Sequence, residues 1–372
     1  MIAAMQFHPF EIAFCGYSGS GKTTLIASVT RHLGAKYSIA CYKHGCHRFD
    51  IDREGKDSWV MGNAGAGTVM ISDPEKKAVV TRQADRSGML ERQVFSGHDM
   101  LFVEGLKELP LQKLVLVDSE KKILDLLHNG AVSNVCALVT QDGPERNGSF
   151  GIPVFRRDNI AGISEFIETT LLRRAADDIP VYGLVLAGGL SSRMGSDKAL
   201  LSYYEDNQLV RTASLLRRHC SKVFISCRAE QVTTYGQFGF PLISDSYLGI
   251  GPMGGLLSAM QAEPQAAWLV AACDLPYIDG KTAEQLLSHR HPMRFATAFR
   301  NPETQHIEPL FACYEPKSRV RLLLQHASGD NSLSRFLEQA RIEKLELAKP
   351  GVLENINTPA EADSVNFLKK KS

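Results

Sequence analysis

The sequence has no Cys-x-x-Cys pair, no run of 18 consecutive apolar residues, no internal repeat or low-complexity segment, and almost no net charge. Each absence excludes something. The eight cysteines are scattered, and Cys15, Cys136, Cys273 and Cys313 sit inside apolar, strand-like runs, where free cysteine is a small buried hydrophobe. A disulfide scaffold is excluded, and a reducing cytoplasm is expected. Without a long apolar run there is no candidate membrane span. The opening "MIAAMQFHPFEIAF" lacks the basic start and long apolar run of a signal peptide. A formal net charge of +1 gives no global field that would draw the chain to nucleic acid or to a membrane. The "KKKS" end reads as a solvated terminus.

What is present is an ordinary globular composition, 44% hydrophobic and 22% charged, over 372 residues. That length is too great for one core and predicts two domains. The first half alternates short β-branched runs ("EIAFCG", "SIACYKH", "GTVMIS", "KAVVTRQ", "DMLFVEG", "KLVLVDS", "VCALVTQD", "IPVFRR") with helical segments. In "TTLIASVTRHLG" the residues Leu25, Ile26, Val29 and Leu33 share one helical face, and Gly34 ends the helix. Such alternation implies a mainly parallel sheet between helices. "RRAADDIP" reads as a linker, with domains at 1–175 and 180–372. A second alternating series follows, with strands "VYGLVLAGG", "KVFISC", "PLISD", "AWLVAACD", "FATAFR" and "PLFACYE". Its expected helices are near 208–220, 252–262, 318–327, 332–340 and 359–369. The fold class is α/β, with two sheet domains in succession, the second Rossmann-like.

"GYSGSGKT" matches G-x-x-x-x-G-K-[ST] and lies between a strand and a helix. Gly16, Ser18, Gly19, Ser20 and Gly21 would let backbone amides face phosphate oxygens at a helix N-terminus. Lys22 would reach the β- and γ-phosphates, the Thr23 hydroxyl would take Mg²⁺, and Thr24 completes the motif. Glu104, after the apolar strand of "DMLFVEGL", is the matching acid for the metal. Cys41, His44, Cys46 and His47 crowd one segment at a spacing that fits no standard zinc pattern, so that segment reads as a polar loop near the nucleotide.

Through "GYSGSGKTTL", "YKHGCHRFDIDREGKDS" with its following "AGA", and "LFVEGLK", this half resembles the MobB family of molybdopterin-guanine dinucleotide biosynthesis adaptors. The resemblance implies a GTP-binding helper domain with weak hydrolysis at most, through which the chain could oligomerise.

The second half holds a different phosphate loop, "LVLAGGLSSRMGSDKALL". Leu186 and Ala187 end a strand, and Gly188 and Gly189 allow close backbone approach to a nucleotide. Arg193 and Lys198 can neutralise a triphosphate. Asp245 ends another strand ahead of the Gly-rich "GIGPMGG". Asp274 ends the apolar "WLVAACD", where ligands of open α/β sheets sit, and is placed to hold Mg²⁺. Asn355 and Asn357 precede the final helix. Together with Arg335 they are candidates for the pterin side.

These words, with "CDLPYI" and "NINTP", make the half similar to the MobA family of molybdenum cofactor guanylyltransferases. The resemblance implies binding of GTP through Leu186, Gly188, Gly189, Lys198, Asp245 and Asp274, with Mg²⁺ on Asp274. Two departures stand out. Cys227 occupies a place where the family often has asparagine. Asn357 stands where sugar-nucleotide relatives often place a second carboxylate for the metal, so no second protein carboxylate is expected on it.

The expected reaction is attack of the terminal phosphate of molybdenum-molybdopterin on the α-phosphate of GTP. Molybdenum insertion proteins and acceptor molybdoenzymes are the implied transient partners. A cytidylyltransferase for the same cofactor, a sugar-phosphate nucleotidyltransferase and a GTP-dependent carrier or switch are the competing readings.

Overall fold

The computed structural model describes residues 7–44, 52–82, 88–142, 151–187, 200, 207–347 and 351–355. The chain divides into two compact units, Met1–Leu171 and Leu172–Ser372. Among the described residues, no helix is long and apolar enough to cross a membrane.

The elements up to the end of the first long helix are β1 (Glu11–Cys15), α1 (Lys22–Leu33), β2 (Ile39–Lys43), α2 (Asp57–Asn63), β3 (Thr68–Ser72), β4 (Lys77–Thr81), α3 (Met89–Phe95), β5 (Met100–Glu104), β6 (Lys113–Leu116), α4 (Lys122–His128), β7 (Val135–Thr140), β8 (Val154–Arg156) and α5 (Ile160–Asp178). The main sheet has the order β2-β5-β1-β6-β7-β8, and its pairings are parallel. Strand β1 is buried along its whole length, as a central parallel strand covered on both faces must be. Helix α1 buries Leu25, Ile26, Val29 and Leu33, the face expected from their spacing.

Two expectations fail here. Strands β3 and β4 do not join the parallel sheet but form a separate antiparallel pair. The Asp73 carboxylate accepts from the amides of Glu75 and Lys76 at 2.8 and 2.7 Å, closing a turn that returns the chain on itself. The charged "RRAADDIP" segment is not an irregular linker up to Pro180: α5 continues through it to Asp178. Nothing in that segment breaks a helix before Pro180, and Arg174 pairs with Asp178 one turn on at 4.0 Å.

The following elements are β9 (Val181–Leu186), α6 (Gln208–Arg217), β10 (Lys222–Cys227), α7 (Val232–Gly236), β11 (Leu242–Ser244), α8 (Pro252–Ala262), β12 (Ala267–Ala272), α9 (Gly280–Ser288), β13 (Ala296–Arg300), β14 (Ile307–Tyr314), α10 (Ser318–Ala327), α11 (Leu333–Gln339) and β15 (Glu343–Glu346). The sheet order is β11-β10-β9-β12-β14-β13-β15. The sheet is mixed, because β14 runs antiparallel to both β12 and β13. Strand β12 is buried throughout, and its residues alternate between two cores. Leu269 and Ala271 pack with Leu209, Ala213 and Leu216 of α6 and with Leu286 of α9. Trp268 and Val270 pack with Leu256 of α8, Leu322 of α10 and Phe336 of α11. The expected helix at 359–369 lies outside the described residues.

Candidate functional sites

In the first unit, β1 ends at Cys15 and α1 begins at Lys22, so Gly16, Ser18, Gly19, Ser20 and Gly21 form the connection between them. Gly19 and Gly21 have φ of 77° and 88°, in the left-handed region that glycine adopts at no steric cost. Lys22 opens the helix, and its ammonium donates to the carbonyls of Gly16 and Tyr17 at 3.0 and 2.8 Å. The Thr23 hydroxyl donates to Glu104 at 2.9 Å, and Thr24 is exposed beside it. Glu104 is delivered by register: β5 lies between β2 and β1, so that Glu104 stands opposite both Lys43 and Phe14. The Lys43 ammonium sits 3.1 Å from its other carboxylate oxygen. A hydroxyl and a carboxylate in contact at a phosphate loop are the hard oxygen donors that Mg²⁺ takes, so these residues fit the metal.

The Cys41 thiol lies 3.8 Å from the Thr30 hydroxyl, while the His44 amide donates to the Glu104 carbonyl at 3.4 Å. Cys46 and His47 lie outside the described residues, and among the described residues no group of three or more His, Cys, Asp or Glu could hold a metal ion. Sequence reasoning passed over Arg157, just past β8, whose guanidinium packs against Gly21.

In the second unit, the carboxyl ends of four adjacent strands line up. Leu186 of β9 stands opposite Ser226 of β10 on one side and Ala272 of β12 on the other. Ser244 of β11 stands opposite Cys227. Asp245 follows β11 directly and Asp274 stands two residues past the end of β12, so strand pairing carries both to one edge of the sheet, beside the chain leaving β9 at Ala187. The Ala187 amide donates to the Ser226 carbonyl at 3.1 Å, and its carbonyl accepts from the Tyr235 hydroxyl at 3.3 Å. This holds the chain at the end of β9, where the "GGLSSRMGSDK" segment begins. Gly188, Gly189, Arg193 and Lys198 lie outside the described residues.

Asp245 accepts a 2.7 Å hydrogen bond from the Ser226 hydroxyl. Burial holds its carboxyl above the usual carboxylate range, against the opposing pull of Ser226 and Arg228. The glycine pair of "GPMGG" serves packing: both residues are buried inside α8. A Cβ on Gly255 would lie 2.3 Å from the Ser226 hydroxyl and 2.8 Å from Leu186. Cys227 is fully buried, with its thiol pushed up to about 11 by burial.

A second residue missed in the sequence is Glu308. The β12–β14 register puts Ala271 opposite Phe311, β12 ends one residue later at Ala272, and Glu308 lies near the start of antiparallel β14, toward the same edge as Asp274. Burial raises the Glu308 carboxyl above its ordinary range, with a smaller contribution from the Asp274 charge. A second carboxylate is thus within electrostatic reach of Asp274, on an antiparallel strand rather than in the region of Asn357. Paired carboxylates repel and fit a hard divalent cation, so this edge also suits Mg²⁺.

Arg335 lies in the first turn of α11 and is paired with Asp330 at 2.9 Å. Asn355 is exposed, and Asn357 lies outside the described residues.

Comparison with known proteins agrees with this division. Residues 11–141 match the family model for molybdopterin guanine dinucleotide synthesis protein B (MobB), and residues 183–345 match the MobA-like NTP transferase domain. The chain is 31% identical over 203 residues to the molybdenum cofactor biosynthesis bifunctional protein of Synechocystis, covering 55% of this chain and 58% of that one. It is 34% identical over 109 residues to the molybdopterin-guanine dinucleotide biosynthesis adapter protein of Haemophilus influenzae, covering 28% and 61%. It is 27% identical over 187 residues to the molybdenum cofactor guanylyltransferase of Yersinia pseudotuberculosis, covering 49% and 93%. The chain thus spans about three-fifths of the length of the first two relatives. Residues 11–141 belong to the MobB family and residues 183–345 to the MobA-like NTP transferases, the two joined in one chain.

Proposed function

We propose that this chain transfers GMP from GTP to the terminal phosphate of molybdenum-molybdopterin, in the cytoplasm, giving the guanine dinucleotide form of the cofactor and pyrophosphate. Residues 180–372 carry out the transfer, and residues 1–175 bind a second GTP as a helper. The observation that carries this reading is the shared sheet edge of Leu186, Asp245 and Asp274, joined to the "AGGLSSRMGSDK" loop. The MobA and MobB relatives support the choice of substrate.

A phosphate oxygen of the pterin forms a bond to the α-phosphorus of GTP, and the bond to the bridging oxygen breaks, releasing pyrophosphate. The attacking phosphate is already anionic at neutral pH. The protein therefore contributes positioning and charge neutralisation rather than a base. Lys198 and Arg193 offset the charge that grows on pyrophosphate. The amides of Gly188 and Gly189 hold the nucleotide, and Asp245 binds it. Asp274, with Glu308 within electrostatic reach of it, would hold Mg²⁺, which supplies charge neutralisation to the phosphates when bound. Arg335, Asn355 and Asn357 are assigned to the pterin side. In the first unit Lys22 holds phosphate, and Thr23 with Glu104 would hold Mg²⁺.

The test is to incubate the protein with each nucleoside triphosphate, Mg²⁺ and molybdenum-molybdopterin, and to identify the nucleotide attached. Pyrophosphate release and attachment with GTP alone are expected. Asp274→Ala should reduce transfer at least 100-fold, the scale of losing a main electrostatic contribution. Lys22→Ala should largely spare it. Loss of transfer in purified Lys22→Ala would overturn the division of labour.

A further inference from the structure

We infer that Arg157 is a second cation of the first phosphate loop, poised to bind a phosphate oxygen of the nucleotide that the loop holds. The inference rests on reading "GYSGSGKT" as a nucleotide loop and adds to it a residue from outside the motif.

The geometry is specific. Arg157 follows β8, and its amide donates to the Thr140 carbonyl at 2.8 Å, which fixes where the side chain starts. Its guanidinium lies directly on the loop. A Cβ placed on Gly21 would be 3.0 Å from Nη1, 3.4 Å from Cζ and 3.6 Å from Nε of Arg157. Gly21 is the residue immediately before Lys22 and the N-cap of α1. It is therefore glycine for two reasons, its positive φ and the guanidinium filling the space a side chain would take.

The electrostatics make this placement costly on its own. The N-terminus of a twelve-residue helix carries partial positive charge, and Lys22 adds a full one. A guanidinium in the same place repels both unless an anion joins them. No protein anion does so: among the described residues Arg157 has no ion pair, and its buried Nε has no hydrogen-bond partner. The neighbouring Arg156 is different, since it points to solvent and pairs with Asp158 at 2.7 Å. Glu104 is occupied by Thr23 and Lys43.

An independent observation comes from Ser20 in the same loop. It is 4% exposed, and its hydroxyl also has no hydrogen-bond partner. Buried polar atoms are nearly always satisfied. A buried guanidinium nitrogen and a buried hydroxyl, both open at one phosphate loop, describe a site complementary to an oxyanion. Arginine suits that role because it binds phosphate oxygens through fixed, paired donors.

The experiment titrates the full chain with GTP, GDP and ATP in the presence of Mg²⁺ by calorimetry, comparing the native protein with Lys22→Ala, Arg157→Gln and Arg157→Lys. The binding event lost in Lys22→Ala belongs to the first loop. Arg157→Gln should weaken that event about 10- to 100-fold, the scale of one charged hydrogen bond, for GTP and GDP alike. Arg157→Lys should recover part of the loss. The unliganded Arg157→Gln chain should melt no lower than the native one, since a repulsive charge has been removed.

If Arg157→Gln binds within twofold of native while Lys22→Ala has lost the event, the inference is wrong and the loop reading survives. If Arg157→Gln changes only the preference between GTP and ATP, the guanidinium reads the base and not the phosphate. A lower melting temperature with unchanged affinity would make Arg157 a packing residue. If Lys22→Ala loses no binding event, the loop reading fails and Arg157 falls with it.

Discussion

Asp245 shows how a single side chain depends on its neighbours. Ser226 donates to it, and Gly255 leaves room for the Ser226 hydroxyl. The raised proton affinity of Asp245 comes first from burial, so the folded chain binds this proton more tightly than the unfolded chain does. Ionisation at neutral pH therefore opposes folding, and the penalty fades as pH falls through the folded-state value. Asp245→Asn, which still accepts from Ser226, is expected to raise the thermal midpoint at pH 7. That gain should disappear below about pH 4, where the unfolded carboxyl is also protonated. Melting curves across this range check the sign, and a variant equally destabilised at both ends would contradict it.

Between elements, a buried ion pair in the second unit joins the segment after α9 to the end of β14. Arg290 donates to both carboxylate oxygens of Glu315 at 2.7 and 2.8 Å, and Glu315 is fully buried. Removing one partner leaves an uncompensated buried charge. Glu315→Ala or Arg290→Ala should therefore cost about 3–5 kcal/mol in denaturant unfolding. Replacing the pair together by Arg290→Met and Glu315→Leu should cost much less. Similar losses in the single and double variants would show that shape, not charge, is what the pair supplies. Helix α9 itself was overlooked in the sequence although its signals are local: Asp279 accepts from the Thr282 amide at 2.8 Å, and Ala283 and Leu286 share its buried face. The β3–β4 pair was seen as two strands, but its separation from the main sheet was not, because strand propensity does not name a partner.

At the scale of the whole molecule, each unit has its own sheet and core, so thermal unfolding should show two transitions. Phe14 is fully buried in β1, and Trp268 is fully buried in β12 against Tyr182 and Phe224. Phe14→Ala should destabilise only one transition and Trp268→Ala only the other, each by about 3–5 kcal/mol. A single transition moved by both variants in scanning calorimetry would argue against independent units.

By itself the sequence determined the two phosphate-loop words, the buried strands that precede them and the faces of the principal helices. These are encoded within a few neighbouring residues, through glycine conformation, apolar runs and helical spacing. Only the tertiary structure decided which strands pair, that β14 runs antiparallel and brings Glu308 within electrostatic reach of Asp274, and that Arg157 lies on Gly21. Those juxtapositions join residues far apart in the chain, and they follow from sheet order and register, which no local pattern states.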